Sequence, residues 1–144
     1  MMVQDLIPDY HEEVMAYCQR VVTAFSPVCI ILHGSYARGT YHPMSDVDLI
    51  VISDELPERF LRRFFVLNKL KRGQVPLEVI GYTSDEWEKM MTDKHLTVLE
   101  ALHWGKPLHG KAIFEKWQAE MSLWKTQGLR RDVQSWVLPK VLAG

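Results

Sequence analysis

Asp46 and Asp48 stand one residue apart in Ser45-Asp46-Val47-Asp48-Leu49-Ile50-Val51. If Asp46 to Ile52 is a strand, its period of two puts both carboxylates on one face of a sheet. Two carboxylates that close repel each other unless a cation lies between them. Hard oxygen ligands favour Mg2+ or Mn2+. Leu49 to Ile52 are all apolar, so the acids sit at the end of a buried strand. The bland alternative for such a pair is a solvated turn. A third acid, Glu78, interrupts the apolar run Pro76-Leu77-Glu78-Val79-Ile80. A charge buried in a strand is costly without a partner. A metal shared with Asp46 and Asp48 would satisfy it if the two strands are neighbours. Otherwise Glu78 faces water on an edge strand or pairs with an arginine.

An anion site is suggested upstream. Gly34 permits a sharp turn after an apolar run, and Ser35 can open a short helix with its N–H groups and hydroxyl facing an incoming phosphate. Arg38 can reach the same anion, and Ser45 can orient Asp46 or touch phosphate. Alone, Gly-Ser is usually just a turn. Gly34-Ser35-Tyr36-Ala37-Arg38-Gly39 also lacks the glycine spacing of a dinucleotide site and the lysine of a P-loop.

The elements that must position these groups follow from periodicity. Val14, Cys18, Val21, Val22 and Phe25 fall at helical spacing within residues 9–25, and Ser26-Pro27 stops that helix. Residues 28–32 form a continuous apolar run, suited to a strand covered on both faces. The next strand is 46–52. Pro57 then stands near a helix start with Asp54 and Glu55 at its positive end. Phe60, Leu61, Phe64, Leu67 and Leu70 should be its buried face, with Gly73 at its close. Leu77 to Tyr82 reads as a third strand, and Thr83 with Glu86 forms a capping box. A helix over about 94–103 is broken by Gly105 and Pro107, and residues from about 111 onward look mostly helical. About three short strands alternating with helices give an α/β (α+β) domain with a small mixed sheet. Residues 1–110 are the expected core and 111–144 a helical extension of the same domain.

Bulk properties narrow the function. The chain has 144 residues, 47% apolar, enough for one core. A formal net charge of -1 argues against an extended nucleic-acid footprint. No apolar run suits a membrane span, and the N-terminus lacks the regions of a signal peptide, so a cytoplasmic protein is expected. Cys18 and Cys29 lie in apolar patterns and read as buried thiols. His33 reads as a structural hydrogen-bonding residue and His42 as solvated. The tryptophans at 104, 117, 124 and 136 read as packing residues.

Ten residues separate Ser35 from Asp46. An apolar strand, Gly-Ser, that spacer, Asp-x-Asp and a third acid on a later strand together resemble the nucleotidyltransferase superfamily that includes DNA polymerase beta. The resemblance is nearest to its minimal bacterial and archaeal members and covers roughly residues 10–110. It includes Glu100-Ala101-Leu102-His103-Trp104-Gly105-Lys106-Pro107-Leu108, similar to the closing helix and turn of that core. The departure is Glu78, where the family more often has Asp.

The resemblance implies a nucleoside triphosphate, ATP foremost, docked on Gly34 and Ser35 with Arg38 adding charge. Asp46, Asp48 and Glu78 would hold two Mg2+ (or Mn2+) ions, and Glu78 would take the acceptor's proton. A nucleoside monophosphate would pass to a hydroxyl. Minimal nucleotidyltransferases are commonly paired, as antitoxin to toxin, with small helical HEPN proteins, which implies such a partner as acceptor. A homodimer could instead supply the missing wall. The alternatives are a small-molecule acceptor of aminoglycoside or nucleotide type, or a non-catalytic module that binds nucleotide or covers a partner.

Overall fold

The computed structural model describes residues 7–132 and 135–139. Helix α1 (His11–Phe25) leads into strand β1 (Cys29–His33) and the short helix α2 (Gly34–Arg38). Strand β2 (Val47–Ile52), helix α3 (Phe60–Lys69) and strand β3 (Leu77–Tyr82) follow. Helices α4 (Ser84–Thr92) and α5 (Leu96–Trp104) precede strand β4 (Lys106–His109) and helix α6 (Lys111–Thr126). A ribbon of β5 (Arg130–Arg131) and β6 (Trp136–Val137) completes the described chain.

The main sheet has the order β3-β2-β1-β4. β1 runs antiparallel to both neighbours, and β2 and β3 are parallel. This mixed α/β architecture is the expected class, with one strand more than expected. Pro107 reads as a breaker in sequence, yet proline is tolerated at a sheet edge, where its missing N–H costs no ladder bond. β4 is such an edge, bulged against β1 between Ile30 and Ile31.

Alternate residues of the central strands feed two clusters on opposite faces. Ile30, Leu32, Leu49 and Val51 pack with Val14, Tyr17, Cys18 and Val21 of α1 and Leu67 of α3. Ile31, Ile50 and Ile52 pack with Trp87 of α4, Leu99 and Leu102 of α5, and Phe114, Trp117 and Met121 of α6. Central strands buried on both faces explain the unbroken apolar runs. Both cysteines are buried free thiols, and burial pushes each thiol up to about 12. The capping box forms, with Thr83 Oγ1 accepting from the Glu86 N–H and the Glu86 carboxylate accepting from the Thr83 N–H.

Two expectations about α3 fail. The helix begins at Phe60, and Asp54 instead accepts from the N–H and hydroxyl of Ser84, at the start of α4. The apolar face is not buried: Leu67 is, but Phe60, Leu61, Phe64 and Phe65 are 51%, 81%, 52% and 62% exposed. The helix is turned by Arg63, which is buried. Its guanidinium donates to Pro57 O (2.6 Å) and Glu58 O (2.8 Å), reaches Gly81 O, and pairs with Glu86. Four polar partners hold that charge inside, and the phenylalanines on the other side are left outward. Gly81 admits α3 at close range, since a Cβ there would lie 3.1 Å from Leu67 Cδ1.

The tail also departs from a mostly helical reading. α6 ends at Thr126, and Gly128 (φ +114) turns the chain into the ribbon. Residues 133–134 and 140–144 of that tail lie outside the described residues.

Candidate active site

Strand register brings the predicted acids together. Asp48 stands opposite Glu78 on β3 and opposite His33 on β1. Residues paired across a sheet project to the same face, so His33, Asp48 and Glu78 form one row. Asp46 lies one residue before β2 and is exposed, which corrects the expectation that it belongs to the strand. It nonetheless acts on the row. Burial, then the charges of Glu78 and Asp46 and a hydrogen-bonded contact with Glu78, push the Asp48 carboxyl up to about 6. Arg38 opposes that rise. Glu78 is exposed on the edge strand, as one sequence alternative had it, yet shares a face with Asp48.

Gly34 sits against the same carboxylate. Its φ is +70, and a Cβ there would stand 2.1 Å from Asp48 Oδ2. Only glycine allows this approach of backbone to acid. Gly34 and Ser35 open α2 as expected, and Arg38 ends it. Tyr36 and Ala37 anchor α2 in the core, leaving Ser35 half-buried and Arg38 exposed at the site. Ser45 is buried and accepts a hydrogen bond from the His42 N–H (2.9 Å), so in this conformation it closes the loop before Asp46. His42 is exposed. His33 is held near 4 by burial and by Arg38, and so is neutral at pH 7.

Two further features escaped the sequence reading. Lys71, just beyond α3, donates to Leu77 O and feels both Asp46 and Glu78. Burial lowers its pKa, and the two acids oppose that change. Its signal was only the basic run Lys69-Leu70-Lys71-Arg72. A pocket of about 190 Å3 is lined by His33, Gly34, Arg38, Glu100 and Trp104. Glu100 Oε2 and Trp104 Nε1 are buried without a hydrogen-bond partner among the described residues. Arg131 Nε lies 3.8 Å from the former, and the Arg131 guanidinium stands over the Trp104 ring. Glu100 and Trp104 lie in the stretch that suggested a closing helix, but nothing in their spacing marked them as lining.

Three carboxylates, the middle one destabilised by the other two, suit a hard divalent cation. As the side chains stand, no three acid, histidine or cysteine groups among the described residues are gathered into a ligand set. The donor chemistry fits a cation, and closing on one would relieve the repulsion that raises Asp48.

The family profile described as "Nucleotidyltransferase domain" matches residues 14–103. The chain belongs to this family. The matched span runs from within α1 to one residue short of the end of α5, and it includes every residue of the site described above except Trp104 and Arg131. A protein of Methanocaldococcus jannaschii, named "Putative protein adenylyltransferase", is 54% identical over 43 residues. That match spans 30% of this chain and 29% of the relative. A chain of a toxin–antitoxin complex solved with AMP-PNP aligns over 78% of this chain and 87% of its own length. Its TM-score is 0.51 at 18% identity, a likeness of fold. A chain from Sulfolobus solfataricus, described as a putative nucleotidyltransferase, has a TM-score of 0.48 at 19% identity over 60% of this chain and 78% of its own. Among the described residues, no helix is long and apolar enough to cross a membrane.

Proposed function

We propose that this nucleotidyltransferase-family protein transfers AMP from ATP to a hydroxyl of a protein partner, of the small helical HEPN type. The observation that carries the reading is the row of acids beside Gly34, in which Asp48 is pushed up to about 6 by burial, Glu78 and Asp46. Such a row is unfavourable in the isolated protein and suits one that works with cation and triphosphate bound. The family match supports nucleotidyl transfer, and the relative named as a protein adenylyltransferase supports a protein acceptor. The complex solved with AMP-PNP supports both nucleotide and partner.

Each residue has a task. Asp46, Asp48 and Glu78 hold two Mg2+ or Mn2+ ions. When bound, the metal neutralises phosphate charge and acidifies the acceptor hydroxyl. Gly34 and Ser35 receive the phosphates through backbone N–H groups and the Ser35 hydroxyl. Arg38 and Lys71 add positive charge from either side, and Ser45 fixes the loop that carries Asp46. The pocket at Glu100 and Trp104 receives the nucleoside end, where the buried Trp104 Nε1 has no hydrogen-bond partner among the described residues. Glu78, at the open edge of the sheet, accepts the proton of the incoming hydroxyl. Residues 1–110 act as the core, with 111–144 as its extension.

The test is incubation with α-labelled ATP, Mg2+ and candidate partners encoded beside the gene. Label should appear on the partner's hydroxyl and pyrophosphate should be released. Equal labelling by wild type and Asp46→Asn would overturn the reading.

A further inference from the structure

The outward face of α3 is the least explained surface of the molecule. Four large apolar residues within six positions, Phe60, Leu61, Phe64 and Phe65, are each at least half exposed. Surface helices usually turn such residues inward. Here Arg63 takes the inward position and is held there by four partners. A contiguous exposed apolar patch of this kind marks an interaction site.

Charge says what covers it. Residues 59–72 carry six lysines and arginines and no acid. Arg63 is paired inside, but Arg59, Arg62, Lys69 and Arg72 are exposed along the same segment. Lys69 Nζ lies 5.1 Å from the Phe65 ring centre, so cation and aromatic share one surface. Two copies meeting through α3 about a two-fold axis would oppose like charges. A lipid surface would suit the charge, but not a fixed notch. Phe60 and Phe64 form such a notch over Val79, Ile80 and Gly81 of β3, sized for the tip of one side chain. Shaped notches of this kind receive anchors from folded partners. Strand addition at this edge is disfavoured, because Arg63 and Lys71 occupy the Gly81 and Leu77 carbonyls.

The patch is also continuous with the candidate site. Val79 and Ile80 at the floor of the notch follow Glu78 directly, a few ångströms along the strand. Lys71 links the two, facing Asp46 and Glu78 from the basic end of α3.

We propose that α3 is the docking helix for a second protein, which presents an apolar patch ringed by aspartate and glutamate. Resting on the function proposed above, that protein is the one whose hydroxyl receives the nucleotide. Docking on α3 sets its acceptor beside Glu78.

The test uses the full chain in its native cell with Phe65 replaced by p-benzoylphenylalanine, and Leu123 of α6, 62% exposed, as control position. The expected photo-adduct at 65 is another protein, crosslinked through apolar residues flanked by acids, and absent at 123. Purified, that protein should bind at least tenfold more weakly to Leu61→Glu and to Arg62→Glu, and within twofold of wild type to Leu123→Glu. Circular dichroism and metal-dependent nucleotide binding confirm that the variants are folded. Adducts at 65 only to lipid, nucleic acid or a second copy of the chain would overturn the proposal, as would the same adducts at 65 and 123. A protein captured through α3 that takes no label from ATP leaves docking standing and sinks the acceptor reading. A labelled acceptor indifferent to Leu61→Glu and Arg62→Glu does the reverse.

Discussion

Asp48→Asn should abolish nucleotidyl transfer and, without metal, make the protein more stable at neutral pH. An acid whose pKa rises on folding binds its proton more tightly in the folded state. Stability therefore falls as pH rises from the ordinary carboxylate value of 3.8 to about 6, and stays at the lower level above it. That gap corresponds to about 3 kcal/mol at most. The carboxyl is only half buried, so solvent screening reduces the gain to about 1–1.5 kcal/mol. For a chain of 144 residues this is a rise in Tm of about 3–5 °C. The assay is thermal denaturation of wild type and variant at pH 7.5 and pH 4, in chelator. The variant's advantage should be present at pH 7.5, shrink towards pH 4, and shrink again when excess Mg2+ is added to wild type at pH 7.5. A variant no more stable than wild type at pH 7.5 in chelator would refute the reasoning, because the acids would then not be in electrostatic conflict.

Three other outcomes follow from the same structure. Gly34→Ala combines a left-handed φ with a Cβ placed 2.1 Å from Asp48 Oδ2, so it should cost about 1–3 kcal/mol in denaturant unfolding and displace the acid. Metal-dependent ATP binding, read by calorimetry, should fall at least tenfold. Arg63→Ala leaves the Pro57 and Glu58 carbonyls without their donor, while Glu86, 44% exposed, is rehydrated, so urea denaturation should show a loss of roughly 2–3 kcal/mol. His33 should keep its neutral-form NMR shifts down to about pH 5 and titrate near 4. Because its folded pKa lies below 6.5, it contributes a loss of stability as pH falls through that window. A midpoint near 6.5 would show that burial and Arg38 do not act on it.

The parts legible in the sequence were those fixed by local rules. Leu77 to Tyr82 is the strand that its apolar run predicts, and Thr83 with Glu86 caps α4 as their spacing requires. Gly34-Ser35 opens a helix, and Asp48 with Glu78 fall on paired strands as the proposed site needs. What failed needed tertiary knowledge. Helical spacing cannot say which side of α3 faces inward when Arg63 finds four partners there. Pro107 reads as a stop because sequence does not reveal that its strand is an edge. Glu100 and Trp104 reach Gly34 and Arg38 only because α5 is folded back across the sheet, and a separation of more than sixty positions hides this.

The pairing of His33, Asp48 and Glu78 across three strands means that the core and the proposed chemistry are measured by one ruler. Sliding β2 by a single residue would turn Asp48 to the opposite face and send Ile50 and Ile52 away from Trp87 and Phe114. A chain folded with that error would lose its apolar fit and its acids in the same movement. Catalytic competence in this protein would therefore double as proof that the sheet was assembled in its proper alignment, and a misaligned form could not persist as a stable impostor.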